Sequence, residues 1–99
     1  MAVISGVNKQ PSEVVRQKVD YSYWLDGVLI QAVAVSIGSA DDPDLLLTCT
    51  TMLDLEQKEV SLFISGGLDG CSYTITVWVT LYDGQVREDE LKVRVKEIV

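Results

Sequence analysis

Residues 71–82 decide the fold, reading Cys71-Ser72-Tyr73-Thr74-Ile75-Thr76-Val77-Trp78-Val79-Thr80-Leu81-Tyr82. Every second residue is apolar: Cys71, Tyr73, Ile75, Val77, Val79 and Leu81. The residues between them are polar or aromatic: Ser72, Thr74, Thr76, Trp78, Thr80 and Tyr82. Successive side chains of a strand point to opposite faces, whereas a helix would spread these apolar residues around its circumference. The stretch is therefore predicted to be a strand with one buried face.

The turn after this strand determines how the strand pairs with the next one. A two-residue loop at 83–84 would place Val77 opposite Glu90 and so bring a charge onto the buried face. A three-residue loop at 82–84 places Ile75 opposite Leu91 instead, which keeps both apolar rows on one face. We therefore predict a hairpin with the three-residue turn.

The same register brings charges to the end of the hairpin next to the turn. It sets Val79 opposite Arg87 and Val77 opposite Asp89, so we expect that end to be open to water.

Glu88, Asp89 and Glu90 are also the candidates for paired acid and base carboxylates. Nothing in this charged strand end would desolvate one of them selectively, so no catalytic pair is predicted.

Alternation also marks further strands, near residues 14–19, 28–37, 45–53, 60–65 and 86–95. About seven short strands separated by turn signals are typical of an antiparallel, immunoglobulin-like β-sandwich, with a small closed barrel as the alternative. Residues 1–13 have no sustained period and are predicted to be an extended N-terminal arm with at most a short strand, followed by the sandwich domain at 14–99. Within 60–65, Leu62 is predicted to be buried and Ser61 to lie at the surface.

Composition excludes several classes of function. The chain has 99 residues, with 15 acidic and 8 basic side chains, a net charge of -7 and no histidine. A phosphate backbone would repel such a chain, so no nucleic-acid partner is expected. The longest apolar stretch, at 28–37, is far short of the ~20 residues of a membrane span. No signal peptide is visible, and synthesis in a cytoplasm is expected.

Few residues suggest a metal or cofactor site. Asp41, Asp42 and Asp44 are the best cation candidates, but their spacing matches no specific site and a solvated loop is the simpler interpretation. The glycine-rich segment 66–70 lacks the Lys-Ser/Thr pair of a phosphate loop. Cys49 and Cys71 could form a bridge if they lie on facing strands, but reduced, inert thiols in the core are favoured. We predict no cofactor, no metal and no catalytic residues.

Aromatic side chains are the remaining candidates for function. Trp78 and Tyr82 lie on the strand face opposite the apolar row, and Phe63 lies on the minor face of its own strand. Exposed rings of this kind are enriched at protein interfaces. The alternative is that the arm, or the segment 21–25, folds back and covers them.

Several stretches resemble the fibre–tail adaptor family, small structural proteins of tailed phages. The resemblance is carried by Asn8-Lys9-Gln10-Pro11, by 19–25 (VDYSYWL), by 60–67 (VSLFISGG) with 73–77 (YTITV), and by 84–91 (GQVREDEL). It covers roughly residues 8–96, although 38–58 carries none of these elements. The resemblance implies an immunoglobulin-like virion protein without enzymatic activity. Such a protein joins the tail, or the head–tail connector, to a fibre, and is present in several symmetric copies.

The resemblance also implies where the partners bind. Residues 1–13, including Asn8, Lys9, Gln10 and Pro11, would order against a neighbouring subunit, and the face with Phe63, Trp78 and Tyr82 would dock another virion protein. The competing hypothesis is a stand-alone immunoglobulin-like module that binds a carbohydrate or an adhesion partner through its exposed rings.

Overall fold

The computed structural model describes the backbone of residues 2–97 and the side chains of residues 6–22 and 24–97. Its elements, in chain order, are β1 (Ala2–Lys9), β2 (Val14–Asp20), α1 (Ser22–Leu25), β3 (Ile30–Gly38), β4 (Leu47–Leu53), β5 (Glu59–Gly66), β6 (Ser72–Leu81) and β7 (Val86–Val95). In this described part of the chain, seven strands form two sheets, with the order β1-β7-β6-β3 in one and β2-β5-β4 in the other. The immunoglobulin-like sandwich predicted from the sequence is confirmed. The two separate sheets exclude the closed barrel.

The core lies between the two sheets. Its side chains come from the alternating positions of the inner strands: Val60, Leu62 and Ile64 of β5, Tyr73, Ile75, Val77, Val79 and Leu81 of β6, and Leu91, Val93 and Val95 of β7. These residues have at most 1% of their surface exposed. The apolar face predicted for residues 73–81 is therefore the inner face of the four-stranded sheet.

The register of the β6–β7 hairpin is the predicted one. Ile75 pairs with Leu91, and Val79 pairs with Arg87. Gly84 in the connecting turn has φ of 95°, a left-handed conformation that glycine adopts without steric cost. The three-residue turn follows from keeping the apolar row of both strands on one face.

The N-terminal segment differs from the prediction. The extended arm expected at 1–13 is not confirmed, because Ala2–Lys9 form β1 and pair in parallel with β7 at the edge of the four-stranded sheet. Val7 is buried in the shared core. Within residues 2–97 the other strand pairs are antiparallel, and sequence alternation alone does not distinguish a parallel from an antiparallel pair. The division of the chain after residue 13 stays a prediction, and Met1 and residues 98–99 lie outside the described residues.

Residues 22–25 form one helical turn, which the alternation pattern does not indicate. The surface position predicted for Ser61 is wrong. Ser61 is 6% exposed rather than at the surface, because the side chain of Arg16 lies over it. An outward-pointing position in a central strand is covered when a long side chain of the neighbouring strand crosses it.

Two consecutive glycines let the loops at one end of the sandwich approach each other. Gly66 and Gly67 have φ of 77° and 95°. A Cβ on Gly66 would lie 2.5 Å from the carbonyl oxygen of Leu46, and a Cβ on Gly67 would lie 2.7 Å from Val95 Cγ2. Gly66 is therefore needed for close packing of β5 on the loop before β4, and Gly67 for the close approach to Val95 of β7.

Candidate docking surfaces

Trp78 lies on the outer face of the four-stranded sheet. It is half-buried and sits between Ala34 on β3 and Glu88 on β7, while its chain neighbours Val77 and Val79 point into the core. Small and short side chains surround the indole on this face: Ala32, Ala34, Ser36, Thr76 and Thr80. We call this the tryptophan face. A large ring among small neighbours on a flat sheet leaves apolar area available for contact.

Phe63 lies on the outer face of the other sheet. It is half-buried, pairs with Arg16 on β2 and with Thr50 on β4, and has the Arg16 guanidinium carbon 5.8 Å from its ring centre. Arg16 Nε and Nη2 also donate to Ser61 Oγ at 3.2 and 3.1 Å. We call this surface of Arg16, Thr50, Ser61 and Phe63 the phenylalanine face. The arginine is held in place by a cation–π contact and two hydrogen bonds.

The three rings predicted to form one patch are therefore divided. Phe63 and Trp78 lie on opposite outer faces of the sandwich, because β5 and β6 belong to different sheets. Tyr82 follows β6, is 60% exposed and lies beyond Trp78 at the hairpin end. Any contact through these residues must use at least two surfaces.

The segment expected to cover the rings is placed elsewhere. Tyr21 and Leu25 are buried in the core, and Trp24 packs against it, with its ring centre 6.1 Å from that of Tyr21. Helix α1 thus covers one open end of the sandwich, between the sheets.

The predicted N-terminal contact residues have different environments. Asn8 is exposed, Gln10 and Pro11 are half-buried, and Lys9 is buried. Lys9 Nζ donates to the carbonyl oxygens of Gln10 and Gly66, both at 2.6 Å. Burial lowers the pKa of Lys9 from its ordinary value, and nearby Glu13 partly opposes this. Lys9 therefore links β1 to β5 within the molecule.

Asn8 lies in an open depression of about 660 Å³ on the outer side of the four-stranded sheet. Lys92 and Arg94 of β7, both exposed, line the same depression. Asn8 pairs with Arg94, which in turn pairs with Ser72, six residues along β6 from Trp78. The two sites are thus about 20 Å apart along the sheet.

A buried polar cluster closes the hairpin end that was expected to be open to water. Asp89 is 2% exposed and accepts a hydrogen bond from Tyr21 Oη at 3.0 Å and from Arg87 Nε at 3.0 Å. Arg87 also lies 5.6 Å from the ring centre of Trp24. The prediction failed because Tyr21, 68 residues away in sequence, brings a donor to the carboxylate. The sequence did contain a signal for this cluster. Asp89 falls on the inner face of its predicted strand, and a buried charge requires a partner.

A second buried cluster occupies the opposite end, in the acidic loop. Asp42 is 0% exposed and accepts hydrogen bonds from Tyr73 Oη at 2.5 Å and from the Leu46 and Asp44 amides at 2.9 and 3.1 Å. Tyr73 Oη in turn accepts from the Leu68 amide at 2.9 Å. Burial and the Asp42 carboxylate raise the pKa of Tyr73 to about 12, so the phenol keeps its proton and donates it. Asp42 therefore holds the loop before β4 in place and, through Tyr73, connects it to the loop before β6.

The other candidate chemical groups are also separated or protected. Within residues 2–97, no three cysteine or acidic side chains are grouped so that they could hold a metal ion. Asp89 points inward, whereas Glu90 pairs with Lys92 at 2.5 Å on the outer face. Cys49 and Cys71 are both free thiols, and burial raises the pKa of Cys49 to about 11.

The acid sensitivity of folding should depend on the contact between Asp42 and Tyr73. The hydrogen bond from Tyr73, followed by that from Leu46, lowers the pKa of Asp42 from its ordinary value. A lowered pKa contributes stability that is present above the unfolded-chain pKa and is lost as the pH falls through the folded value. We therefore expect Tyr73→Phe to destabilise the protein most at neutral pH, with the difference from wild type shrinking below about pH 4. Thermal unfolding across this range measures the effect.

Tyr82→Phe is the matched control, because it removes an exposed hydroxyl. It should leave the unfolding temperature near that of the wild type at each pH. A difference between wild type and Tyr73→Phe that stays constant with pH would contradict the assignment.

The family model described as "Podophage GP4 fiber-tail adaptor protein gp77" matches residues 9–94 of the chain. This is most of its length and includes both outer faces. The chain belongs to this fibre–tail adaptor family. The resemblance found in the sequence is confirmed, and the chain is a bacteriophage tail structural protein. Six of the seven predicted contact residues fall within the matched range, and Asn8 lies just before it.

The adaptor also has the fold of part of a much larger solved protein. A 2,6-sialyltransferase of Photobacterium sp. JT-ISH-224, crystallised with CMP and lactose, superposes with a TM-score of 0.50 and 9% sequence identity. The match covers 95% of the adaptor but 18% of that chain, so the adaptor spans about a fifth of it and the likeness is one of fold alone. No curated protein matches the sequence. In residues 2–97, no helix is long and apolar enough to cross a membrane.

Proposed function

We propose that this protein is a non-enzymatic virion adaptor that joins the phage tail, or the head–tail connector, to a fibre through protein–protein contacts. The observation that carries the proposal is the family match over residues 9–94 together with two separate outer faces, each bearing a partly exposed ring. An adaptor must hold two partners at once, and opposite faces of a rigid sandwich allow this without steric conflict. We assign one partner to the tryptophan face and the other to the phenylalanine face.

Chemical differences between the two faces support different partners. The tryptophan face combines an indole with small side chains, and Glu88 beside the ring adds negative charge. The phenylalanine face presents Arg16 over its ring, with Lys18 further along β2. Complementary charge guides partner choice, so the two faces should not exchange partners.

Membership of the adaptor family extends the proposal to location, copy number and partners. The protein acts in the virion, after synthesis in the cytoplasm of the bacterial host, and is present in several symmetric copies. Its partners are other virion proteins, and neither nucleic acid nor a membrane is among them. The net charge of -7 supports the first of these exclusions. Asn8, in the depression beside Lys92 and Arg94, is assigned to a contact with a neighbouring subunit.

Separate loss of the two partners tests the proposal. Phage particles are assembled with the adaptor carrying Trp78→Ala or Phe63→Ala, and the amounts of adaptor and fibre per tail are measured in purified particles. Truncating a central aromatic contact typically weakens an interface by about 2 kcal/mol or more, or roughly thirtyfold. One variant should remain on the tail without the fibre, and the other should be missing from the tail.

Leu55→Ala is the control, because Leu55 is fully exposed in the turn between β4 and β5. Particles with this change should contain adaptor and fibre in normal amounts. Normal fibre content with both ring variants, or the same loss with both, would refute the assignment of two faces to two partners.

A further inference from the structure

The four edge strands of the sandwich differ in how they discourage pairing with other chains. Unpaired edges carry free N–H and C=O groups, and proteins usually protect them with charges, bulges or inward-pointing charged residues. The edge strands here are β1 and β3 in one sheet and β2 and β4 in the other. β1 and β2 lie on one side of the sandwich, and β3 and β4 on the other.

The side formed by β1 and β2 is protected. β1 has a register irregularity between Val3 and Ser5 and an inward-pointing, buried charge at Lys9. β2 carries Arg16 and Lys18 on its exposed face. Each of these features opposes the addition of another strand.

The side formed by β3 and β4 has no charged residue in either strand. From residue 27 to residue 53 the charged side chains are Asp41, Asp42 and Asp44, all in the loop between the two strands. β3 is nine residues long and has a register irregularity between Ile30 and Ala32, but its register with β6 is regular from Ala32 to Gly38. At its start, the Ile30 amide donates to the Gln57 carbonyl oxygen at 3.1 Å, and the Ile30 carbonyl oxygen accepts from Gln57 Nε2 at 3.2 Å. The uncharged edge available for pairing therefore runs from Ala32 to Gly38.

The side chains of β3 indicate what should cover it. On the outer face Ala32, Ala34 and Ser36 are exposed and small. On the inner face Val33 and Val35 pack against the core but stay half-exposed at the edge. A covering strand would need apolar residues on its inner side and small, uncharged residues on its outer side, and β3 itself has this pattern.

We propose that β3 is a self-association edge, on which a second copy of this chain adds its own β3 in antiparallel fashion. Two four-stranded sheets would then join into one continuous sheet around a two-fold axis. Pairing centred on Ala34 sets Val33 opposite Val35 of the second copy and Ala32 opposite its Ser36. A two-fold interface brings the same surface of both copies together. A charged residue near the axis would therefore lie close to the same charge on the second copy.

The net charge of the chain indicates that two copies would associate more readily at this uncharged edge than through charged parts of the surface. The chain carries 15 acidic and 8 basic residues, so two copies repel each other overall. The uncharged strands β3 and β4 let two copies approach without placing like charges together. This inference does not depend on the adaptor function.

The mass of the purified protein in solution, measured by light scattering after size exclusion or by sedimentation, tests the proposal. The measured mass of the wild-type chain should rise toward twice the monomer mass as the protein concentration is raised to about 1 mM. A dimer with a dissociation constant below this concentration is detected in this way. Ala34→Lys should raise the dissociation constant by at least about tenfold, because the two lysines would face each other across the axis. Ser36→Lys should also weaken the dimer, because it places a long charged side chain opposite Ala32 of the second copy. Circular dichroism checks that each variant is folded.

Val14→Lys is the matched control, since it adds the same charge to the exposed start of β2. It should leave the dimer intact. A monomeric wild-type chain, a folded lysine variant on β3 that keeps the dimer mass, or equal weakening by Val14→Lys would each overturn the proposal. A monomeric chain would assign the edge to a strand of another protein instead.

Discussion

Leu62→Ala is expected to lower the free energy of unfolding by about 2–5 kcal/mol. Leu62 lies at the centre of β5, has none of its surface exposed, and pairs with Gln17 on β2 and Thr51 on β4. The middle strand of a three-stranded sheet cannot shift to fill the cavity without breaking its pairing on both sides. The loss therefore combines the transfer term of the missing methyl groups with a cavity term. Urea unfolding followed by circular dichroism measures it.

Leu55→Ala is the matched control for Leu62→Ala. It makes the same chemical change at a fully exposed position, so its effect should stay within about 0.5 kcal/mol. Ser61→Ala should cost about 0.5–1.5 kcal/mol, because Ser61 is buried and accepts two hydrogen bonds from Arg16. Equal losses for Leu62→Ala and Leu55→Ala would show that the face assignment of β5 is wrong.

Asp89→Ala is expected to cost about 2–4 kcal/mol. The change removes the acceptor that joins the Tyr21 hydroxyl and the Arg87 guanidinium at the closed end of the core. The loss of an acceptor is severe when its donors are buried, as Tyr21 is; Arg87 is partly exposed and recovers some hydration. α1 should also become less firmly held, because Tyr21 immediately precedes it. The stability is read from urea unfolding, and the loosening of α1 from hydrogen exchange at residues 22–25.

Glu88→Ala separates this effect from a general change in charge. Glu88 is next in sequence and carries the same charge, but it lies on the outer face beside Trp78. Its removal should change stability by no more than about 0.5 kcal/mol. If Asp89→Ala were as mild as Glu88→Ala, the buried cluster would not hold the end of the sandwich together.

Under the proposed function, the sandwich holds two partners at once, and buried contacts at its ends keep it rigid. The cluster at Asp89 closes one end, and the contacts between Asp42 and Tyr73 close the other. The outer faces are then free to differ in sequence and charge without altering the core.

Short-range alternation was enough to determine several features of this protein. The strand at 72–81, its buried face and the pairing of Ile75 with Leu91 all follow from a period of two and a turn of three residues. These features depend on residues close together in sequence, so local parity contains the necessary information. The family resemblance was likewise visible in the sequence, and the match over residues 9–94 confirms it.

Only the tertiary structure decided which distant segments meet. The parallel pairing of β1 with β7, the burial of Asp89 by Tyr21, and the placement of Phe63 and Trp78 on opposite faces all join residues far apart in the chain. Alternation tells which way a side chain points within its strand, but not which sheet the strand enters or what packs on it. Those choices depend on the free energy of the whole assembled core, because sheet membership is settled by long-range pairing and shared burial.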